Sequence, residues 1–256
     1  MSSDQPAADP LPLAGWRVLV TRPAEQAAPL LEQLRAAGAT ALSYPTIAVA
    51  PPPSWEPFDA ATARIDSYSW IVFTSPSAVR FAFTRAPGLA TRLGSAPHPR
   101  VAAVGEETAR ALRGHAVPVA VVPSDQRQEG LLQALGALPL GTRVLFPQAL
   151  GGRDLLRDEL VRAGVLVDVV AVSRTVPLSL PTPPPAFDAV IFASPSALHA
   201  FVARWTVAVL CDKVVAAMGP TTRQAALSAG AQVQVMPPRP SVPALVAALC
   251  GYRRPQ

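Results

Sequence analysis

Short apolar segments rich in valine, isoleucine and phenylalanine recur along the chain, and each is followed by a turn residue and then by apolar residues at helical spacing. The pattern predicts strands at 17–21, 70–73, 101–104, 117–122, 143–146, 189–192, 214–218 and 233–236. It predicts helices at 26–37, 77–83, 107–113, 129–137, 153–163, 197–203, 222–229 and 242–249. Strands and helices that alternate in this way are typical of parallel sheets covered by helices on both faces. The strands lack strict apolar-polar alternation, as expected when both sheet faces are buried.

Two segments of the first half of the chain are repeated in the second half. WIVFTSPSAV at 70–79 matches AVIFASPSAL at 189–198, and VAAVGEET at 101–108 matches VAAMGPTT at 215–222. A third pair of segments begins with RVL at 17 and at 143, continues with spaced leucines and closes on Ala-Gly. The chain therefore encodes one α/β unit twice, in two lobes.

The order of these matches predicts that one lobe is inserted into the other. The strand-helix unit at 143–164 follows the first copy of the long repeat, whereas its counterpart at 17–38 precedes it. We expect lobe one to comprise 1–40 and 176–256, and lobe two to comprise 52–164. The crossings at 41–51 and 165–175 alternate roughly with period 2, which favours an antiparallel two-stranded ladder as a hinge. We expect the chemistry in the cleft between the lobes.

Two of the predicted helices begin with the same Ser-Pro pair, directly after a strand. Ser75 precedes Pro76, and Ser194 precedes Pro195; serine at the N-cap and proline at the first helical position are both favoured. A good helix start explains this pattern by itself. The alternative is a site for carboxylate or phosphate groups, because ligands of open α/β sheets bind where strands end and helix N-termini attract anions.

Turns that contain glycine follow three further strands. They carry the hydroxyls of Thr108, Thr221 and Thr222, and the guanidinium of Arg153. Glycine at such a turn allows a close approach to the backbone. Arg153 is either a solvated arginine at a helix start or a cation that grips a carboxylate in bidentate fashion.

Charge and composition narrow the choice of ligand. The net charge is +5, and Lys213 is the single lysine, which indicates either an arginine-rich codon usage or attraction for a polyanion. The basic residues are scattered and lack interleaved aromatic residues, which argues against nucleic acid. Neither GxGxxG nor GxxxxGK[ST] occurs, so the dinucleotide fingerprint and the P-loop are excluded.

Cysteines and histidines support neither metal binding nor covalent catalysis. Cys211 and Cys250 belong to no paired motif, and His98, His115 and His199 lack ligand spacing. Residues 1–14 are expected to form a loose tail without a signal-peptide pattern. No apolar run approaches the roughly 20 residues of a membrane span. We therefore expect a cytoplasmic protein that does not bind membranes.

Six segments, taken in order, resemble the uroporphyrinogen-III synthase family. They are VLVTRP (18–23), FTSPSAV (73–79), VGEETARAL (104–112), GGRDLL (151–156), FASPSAL (192–198) and MGPTTRQAAL (218–227). The resemblance spans the chain from Trp16 to about Leu249. It implies two flavodoxin-like lobes joined by a two-stranded ladder.

The resemblance also implies a reaction. The linear tetrapyrrole hydroxymethylbilane loses its hydroxyl as water, ring D inverts through a spiro intermediate, and the macrocycle closes to uroporphyrinogen III. No metal or cofactor is implied, the protein is expected to be a monomer, and the upstream deaminase is the suggested protein partner. The substrate's eight carboxylates suit helix N-termini. Orientation of the flexible chain, with closure of the lobes, is the catalytic demand.

Site residues can be carried over by position. The family's hydroxyl-bearing turns correspond to Thr108, Ser194 and Thr222, with Ser75 and Thr221 beside them. Thr222 is also a catalytic candidate. The implied substrate-binding residues are Arg22, Ser75, Ser77, Thr108, Arg153, Ser194, Ser196, Thr221 and Thr222.

Two positions depart from the family pattern. Ser173 stands where the family commonly has a tyrosine, which is proposed to assist departure of the hydroxyl. Ser173 is therefore the catalytic candidate at this position. Serine is a poorer acid than tyrosine, and its side chain is shorter. FPQA at 146–149 stands where many bacterial members have an Arg-Gly pair, so that Arg153 or Arg174 would supply the cation.

Three functions are therefore compared. The first is the synthase. The second is a non-catalytic member of the same fold that binds tetrapyrroles or regulates their synthesis, which the replacement at Ser173 favours. The third is an unrelated two-lobe receptor for small anions, against which the missing signal peptide counts.

Overall fold

The computed structural model describes residues 11–95 and 99–252. These residues divide into two compact units, one made of residues up to Ala48 together with those from Val176, and the other of Val49–Thr175. Unit 2 is therefore inserted into unit 1. The chain crosses between them through strands β3 (Ile47–Ala50) and β7 (Leu166–Pro177), which pair in antiparallel fashion.

Unit 1 has a parallel sheet of four strands in the order β2-β1-β8-β9. The strands are β1 (Arg17–Val20), β2 (Thr40–Ser43), β8 (Ala189–Phe192) and β9 (Val214–Ala217). The helices are α1 (Ala24–Ala36), α8 (Pro195–Trp205), α9 (Pro220–Ser228) and α10 (Val242–Gly251). A short 3₁₀ turn, Val207–Leu210, precedes β9.

Both faces of this sheet are buried, because alternate side chains of each strand enter different cores. Val18 and Val20 of β1 pack in the core with α1 and α10, which contributes Leu245. Leu19, between them in sequence, packs in the core with α8, which contributes Phe201. The two-sided burial explains why the strands show no polar alternation.

Unit 2 contains the equivalent sheet, in the order β7-β6-β4-β5, with β3 outside β7. The further strands are β4 (Trp70–Phe73), β5 (Arg100–Ala103) and β6 (Arg143–Ala149). The helices are α2 (Glu56–Ala63), α3 (Pro76–Arg85), α4 (Pro87–Ser95), α5 (Glu106–Arg113), α6 (Gln128–Leu135) and α7 (Leu155–Arg162). A 3₁₀ turn, Ile65–Ser67, follows α2.

The two sheets have the same spatial order but a different order along the chain. Strands β2, β1, β8 and β9 of unit 1 take the places of β7, β6, β4 and β5 of unit 2. In each unit a single parallel bridge extends the sheet at the β5 or β9 side, through Val121 and Val235 respectively. Unit 1 therefore has the strand order of a flavodoxin-like sheet, and unit 2 is a circular permutation of unit 1. The predicted fold class is confirmed.

Several predicted elements differ from the structure. The strands expected at 117–122 and 233–236 shrink to the bridges at Val121 and Val235. Pro118 lacks a donor for the sheet, and the side chain of Gln234 accepts the hydrogen bond of Val215 N, 2.8 Å away. The crossing expected at 41–51 is split between β2 and β3 around Pro45, and α2 and α4 were not expected.

The predicted loose tail is wrong at its C-terminal end. Leu13 is 1% exposed and packs in the core of unit 1, and its N–H donates to the carbonyl of Ala37 at 2.9 Å. Residues 1–10 and His98 lie outside the described residues. Within the described ranges no helix is long and apolar enough to cross a membrane.

A charged cluster lies at the amino-terminal end of the sheet of unit 2. Tyr68 donates its hydroxyl hydrogen bond to Asp168 Oδ2 at 2.6 Å, and Arg64 and Arg143 reach the same oxygen at 3.2 and 3.3 Å. Burial raises the pKa of the Asp168 carboxyl, but these three hydrogen bonds outweigh it, so its pKa lies below the usual range. The cluster fixes β6 and β7 to the segment before β4.

Candidate active site

Parallel strands β1, β8 and β9 of unit 1 end at one edge of their sheet. Thr21, which follows β1 and is fully buried, donates from Oγ1 to the carbonyl of Ile191 in β8 at 2.8 Å. Met218, after β9, donates its N–H to the carbonyl of Phe192 at 3.0 Å. The turns after the three strands therefore lie side by side, and the half-buried Arg22 belongs to the first of them.

The turn after β8 leads directly into helix α8. Ser194 has an extended backbone, and its Oγ accepts a hydrogen bond from Ala197 N at 3.3 Å. Pro195 is the first helical residue, and Ser196 in the first turn is exposed. The predicted N-cap is confirmed, and the hydroxyl of Ser196 faces solvent at the sheet edge.

Unit 2 repeats this arrangement after β4. The Oγ of Ser75 accepts from Ala78 N at 3.1 Å, and Pro76 opens helix α3. Ser77, in the first turn, is half-buried. Both predicted Ser-Pro pairs therefore cap their helices, so that helix capping by itself explains why the pair is repeated.

The first turns of α9 and α5 are equivalent in position, but only the turn of α5 carries acidic residues. In α9, Thr222 is 4% exposed and Thr221 is exposed, and the turn carries no acidic residue. In α5, Thr108 is 2% exposed and follows Glu106 and Glu107. Carboxylates at a helix N-terminus repel an anionic ligand, so the unit 1 turn is the better place for one.

A glutamine covers the start of α5. Gln126 Oε1 accepts the backbone hydrogen bond of Glu106 at 3.1 Å, and a Cβ on Gly105 would lie 2.5 Å from the same oxygen. The α5 start is therefore already occupied by the protein's own side chain. Around Gly219, its counterpart in unit 1, Pro240 is the only described residue near a Cβ built there, at 3.7 Å.

Arg153 lies in the turn between β6 and α7 and forms an ion pair within unit 2. Its Nη2 is 2.8 Å from Glu129 Oε1, and this hydrogen bond holds the pKa of the Glu129 carboxyl below its usual range. Gln128 fixes the same turn, because its Nε2 donates to Arg153 O at 3.3 Å and its Oε1 accepts from Leu156 N at 3.1 Å. The predicted binding cation is thus engaged by a neighbouring acid.

Ser173 lies on β7 and is 1% exposed. Its carbonyl accepts from Leu150 N at 2.7 Å. In the part of the chain that the structure describes, its Oγ has no hydrogen-bond partner. The hydroxyl of Ser173 is therefore enclosed, with little reach toward solvent.

Other candidate chemistry is sparse. His115 and His199 are exposed, Cys211 and Cys250 are free, and burial raises the pKa of the Cys250 thiol. Across residues 11–95 and 99–252, no group of three or more histidine, cysteine, aspartate or glutamate side chains could hold a metal ion.

Sequence reasoning missed three glutamines that shape the unit 2 edge. Gln126 and Gln128 cap helix starts, and Gln148 is buried at the end of β6. One signal was available for Gln148, since it interrupts the apolar run RVLFP at 143–147. Helix-capping glutamines carry no comparable signal, because their partners lie far away in sequence.

Known proteins resemble the chain in sequence. A family model described as uroporphyrinogen-III synthase HemD matches residues 28–247. The uroporphyrinogen-III synthase of Synechococcus elongatus is 33% identical over 172 residues, which are 66% of this chain and 65% of that protein. That of Chlorobaculum parvum is 28% identical over 243 residues, 86% of this chain and 92% of that protein. The chain thus matches slightly less than two thirds of the Synechococcus protein.

Solved structures resemble it in fold. Uroporphyrinogen-III synthetase from Helicobacter pylori has a TM-score of 0.62 at 18% identity, over 91% of this chain and 97% of that one. A mutant uroporphyrinogen III synthase from Thermus thermophilus has a TM-score of 0.56 at 18% identity, over 91% and 96%. The family model covers most of the described chain and both units, so this chain belongs to the uroporphyrinogen-III synthase family.

Proposed function

We propose that this protein converts hydroxymethylbilane to uroporphyrinogen III with loss of water. Family membership over residues 28–247 is the observation that carries the proposal. The equivalent sheet edges of the two units support it, since each presents a capped Ser-Pro helix start and a second helix start with a buried threonine. Family membership also overturns the hypothesis of an unrelated anion receptor.

The proposed reaction asks the protein to hold a flexible polycarboxylate. Departure of the hydroxyl breaks the C–O bond, and with a proton it forms water while the adjacent pyrrole stabilises the cation. Attack by the substituted carbon of ring D on this cation forms the spiro intermediate. The bond from that carbon to its original methylene bridge then breaks, the methylene bonds instead to the unsubstituted carbon of ring D, and loss of the proton from that carbon restores the aromatic rings. The enzyme must favour that carbon over the unsubstituted one, which is a task of orientation.

The residues of each edge have distinct parts in the proposal. The acid-free start of α9, with Thr221 and Thr222, binds substrate carboxylates in unit 1 through hydroxyls and backbone N–H groups. Arg22 and Ser196 add donors at the same edge. In unit 2 the substrate meets Ser75, Ser77 and Thr108, and Arg153 reaches a carboxylate once it leaves Glu129.

The burial of Ser173 favours a second candidate function, which is tetrapyrrole binding or regulation without turnover. A hydroxyl that is 1% exposed is poorly placed to give a proton to a leaving group, so a tetrapyrrole-binding or regulatory protein without turnover is the alternative. Orientation by the remaining residues suffices for the synthase, which is why we prefer it.

An isomer assay tests the proposal. Hydroxymethylbilane is generated in situ by a deaminase, the product is acidified and oxidised, and the uroporphyrin isomers are separated. Isomer III is expected as the main product, against isomer I alone with heat-inactivated protein. Isomer I alone with the native protein contradicts the synthase, and in that case saturable binding of uroporphyrinogen supports the second candidate.

Location and assembly of the protein are part of the same proposal. We propose that the protein acts as a cytoplasmic monomer and takes its substrate from the deaminase that makes it. Sedimentation of the purified protein, with and without that deaminase, tests both the oligomeric state and the association.

A further inference from the structure

An open depression of about 350 Å³ lies at the carboxyl end of β6 in unit 2. The turn 148–152 contributes half of the lining residues, and the others are Pro57 of α2, Asp154 and Arg157 at the start of α7, and Val169 and Ala171 of β7. We call this feature the β6 depression. None of the predicted site residues lines it.

Gln148 brings a buried polar group to the β6 depression. The residue is 7% exposed, yet among the described residues its carboxamide makes no hydrogen bond. Gln128, in the same unit and 8% exposed, has hydrogen bonds at both ends of its carboxamide. The carboxamide atoms are not among the fully buried polar atoms without a partner, so they open to the depression that Gln148 lines, where another molecule can form a hydrogen bond with them.

The glycine at 152 keeps room for this carboxamide. A Cβ at Gly152 would lie 2.6 Å from Gln148 Oε1. The φ angle of Gly152 is not in the left-handed region, in contrast to that of Gly151 at +73°. Close approach, rather than backbone conformation, therefore explains the glycine at 152.

A bulge between β6 and β7, in which Val172 of β7 is the extra residue, brings an unsatisfied buried group to this part of unit 2. The register between β6 and β7 shifts after Gln148, so that Ala149 lies opposite Ser173. The Oγ of Ser173 also has no partner within the described residues. Bulges are frequent next to active sites, where they redirect side chains.

The charge around the β6 depression does not favour an anion. Arg157 pairs with Asp154 at 3.0 Å and with Asp158 at 2.8 Å, so its cation is balanced by two carboxylates. The remaining lining is mostly apolar, with Pro57, Val169 and Ala171 among it. An apolar lining with one neutral hydrogen-bonding group suits a flat, uncharged ring that carries a single N–H.

We propose that the β6 depression receives one pyrrole ring of the substrate and that the carboxamide oxygen of Gln148 accepts the hydrogen bond of its N–H. This inference rests on the proposed function and names a substrate contact for it. Gln148 acts by binding, and it takes no proton from the ring.

Two substitutions of Gln148 distinguish a ring N–H from a carboxylate as its partner. Gln148→Met keeps the length and removes the acceptor, and we expect KM for hydroxymethylbilane to rise roughly fivefold to fiftyfold, as when a buried polar partner is lost. Gln148→Glu keeps an acceptor, and we expect KM within about threefold of wild type. If Gln148→Glu raises KM more than Gln148→Met, a substrate carboxylate occupies the site and the proposal is wrong.

Gly152→Ala provides an independent variant that displaces the carboxamide without removing it. We expect it to raise KM in the same direction as Gln148→Met. Gly88→Ala is the matched control, because a Cβ there meets nothing within 4 Å, and Gln133→Met and Gln133→Glu on the exposed face of α6 control for composition and charge.

The outcomes separate this inference from the proposed function. If wild-type protein yields no isomer III, the proposed function fails first. If wild type yields isomer III and the KM of Gln148→Met and Gly152→Ala equals that of wild type, only the pyrrole contact is wrong. A lower melting temperature with unchanged KM assigns Gln148 a purely structural role and equally overturns the contact.

Discussion

Arg153 and Glu129 form an ion pair across the starts of α7 and α6, with Arg153 Nη2 2.8 Å from Glu129 Oε1. Both side chains are more than a third exposed, so the pair is weak enough to exchange for another carboxylate. Glu129 thus competes with any carboxylate that approaches Arg153. This competition makes the role of Arg153 testable by changing its partner rather than itself.

We expect Glu129→Gln to lower KM for hydroxymethylbilane about twofold to threefold, because the substrate carboxylate no longer has to displace a weak, exposed ion pair. Arg153→Ala should raise KM about tenfold. Steady-state kinetics measure both. The Arg113–Glu106 pair, similarly exposed and in the same unit, gives the control Arg113→Ala, and the same KM in all four proteins would show that Arg153 does not bind substrate.

Substitution of the serine caps can distinguish an effect on the stability of the fold from an effect on substrate binding. We expect Ser194→Ala and Ser75→Ala each to cost about 1 kcal/mol of unfolding free energy, as the loss of an N-cap does. Ser241 is the matched control, since it caps α10 with a bond from Ala244 N at 3.3 Å. Denaturant unfolding should give similar losses for all three variants, whereas only Ser194→Ala and Ser75→Ala should raise KM. A kinetic effect of Ser241→Ala as large as theirs contradicts a binding role.

The asymmetry of the threonine turns predicts unequal effects of the same substitution. Thr222→Val should lower kcat/KM by about tenfold or more, because it removes a hydroxyl from the acid-free start of α9. Thr108→Val should lower it by no more than about threefold, because Gln126 and two glutamates already occupy the start of α5. Thermal melts show whether either variant is unfolded. Equal effects would show that the two helix starts serve the substrate alike.

Ser173→Ala tests whether this hydroxyl acts as an acid. We expect turnover within a few-fold of wild type, since an enclosed hydroxyl without a partner cannot readily reach a leaving group. Stability should be unchanged or slightly higher, because an unsatisfied buried polar atom is removed. A drop in kcat near a hundredfold, with an unchanged melting temperature, would assign Ser173 the catalytic role.

Acid stability should depend on Asp168. The pKa of Asp168 is lowered in the folded protein. The stability that its carboxylate gives to the fold is therefore present above the ordinary pKa of 3.8, and it disappears as the pH falls through the lower pKa of the folded state. We expect Asp168→Asn to lose about 1–2 kcal/mol at pH 7, with allowance for its partial exposure. The difference from wild type should shrink below about pH 4.

Melting temperatures between pH 7 and pH 3 measure this difference. Asp212→Asn is the control, because among the residues that the structure describes Asp212 pairs only with the adjacent Lys213, and it is 77% exposed. A loss for Asp168→Asn that stays constant down to pH 3 would show that the carboxylate charge is not what stabilises the cluster.

The sequence was sufficient to predict the architecture because the strands and helix starts of both lobes are marked by the same local sequence patterns. Buried strands such as Trp70–Phe73 and Ala189–Phe192 lie within runs of apolar residues, and Ser-Pro starts the next helix in each case. These signals depend on neighbours in the chain. The repeat then fixed the topology, since equivalent segments occur in a permuted order.

The details of the site depended on contacts that sequence spacing does not encode. Glu129 reaches Arg153, and Gln126 reaches the start of α5, through side chains that approach only after the sheet has formed. The length of the edge strand expected at 233–236 was overestimated for a similar reason, because the side chain of Gln234 takes the place of a backbone partner of Val215. Side-chain competition for backbone groups is invisible to hydrophobic periodicity.

The permuted strand order has a consequence for the order in which the protein folds during synthesis. The parallel strand pairs of the unit 2 sheet, from Trp70 to Ser173, lie within Val49–Thr175, whereas β1 pairs with β8, so that Val18 meets Ala189. Closing such distant pairs costs more chain entropy than closing local ones. Unit 2 can therefore fold before synthesis of the chain is complete, whereas β1 can pair early with β2 on one edge but must wait for β8 on the other.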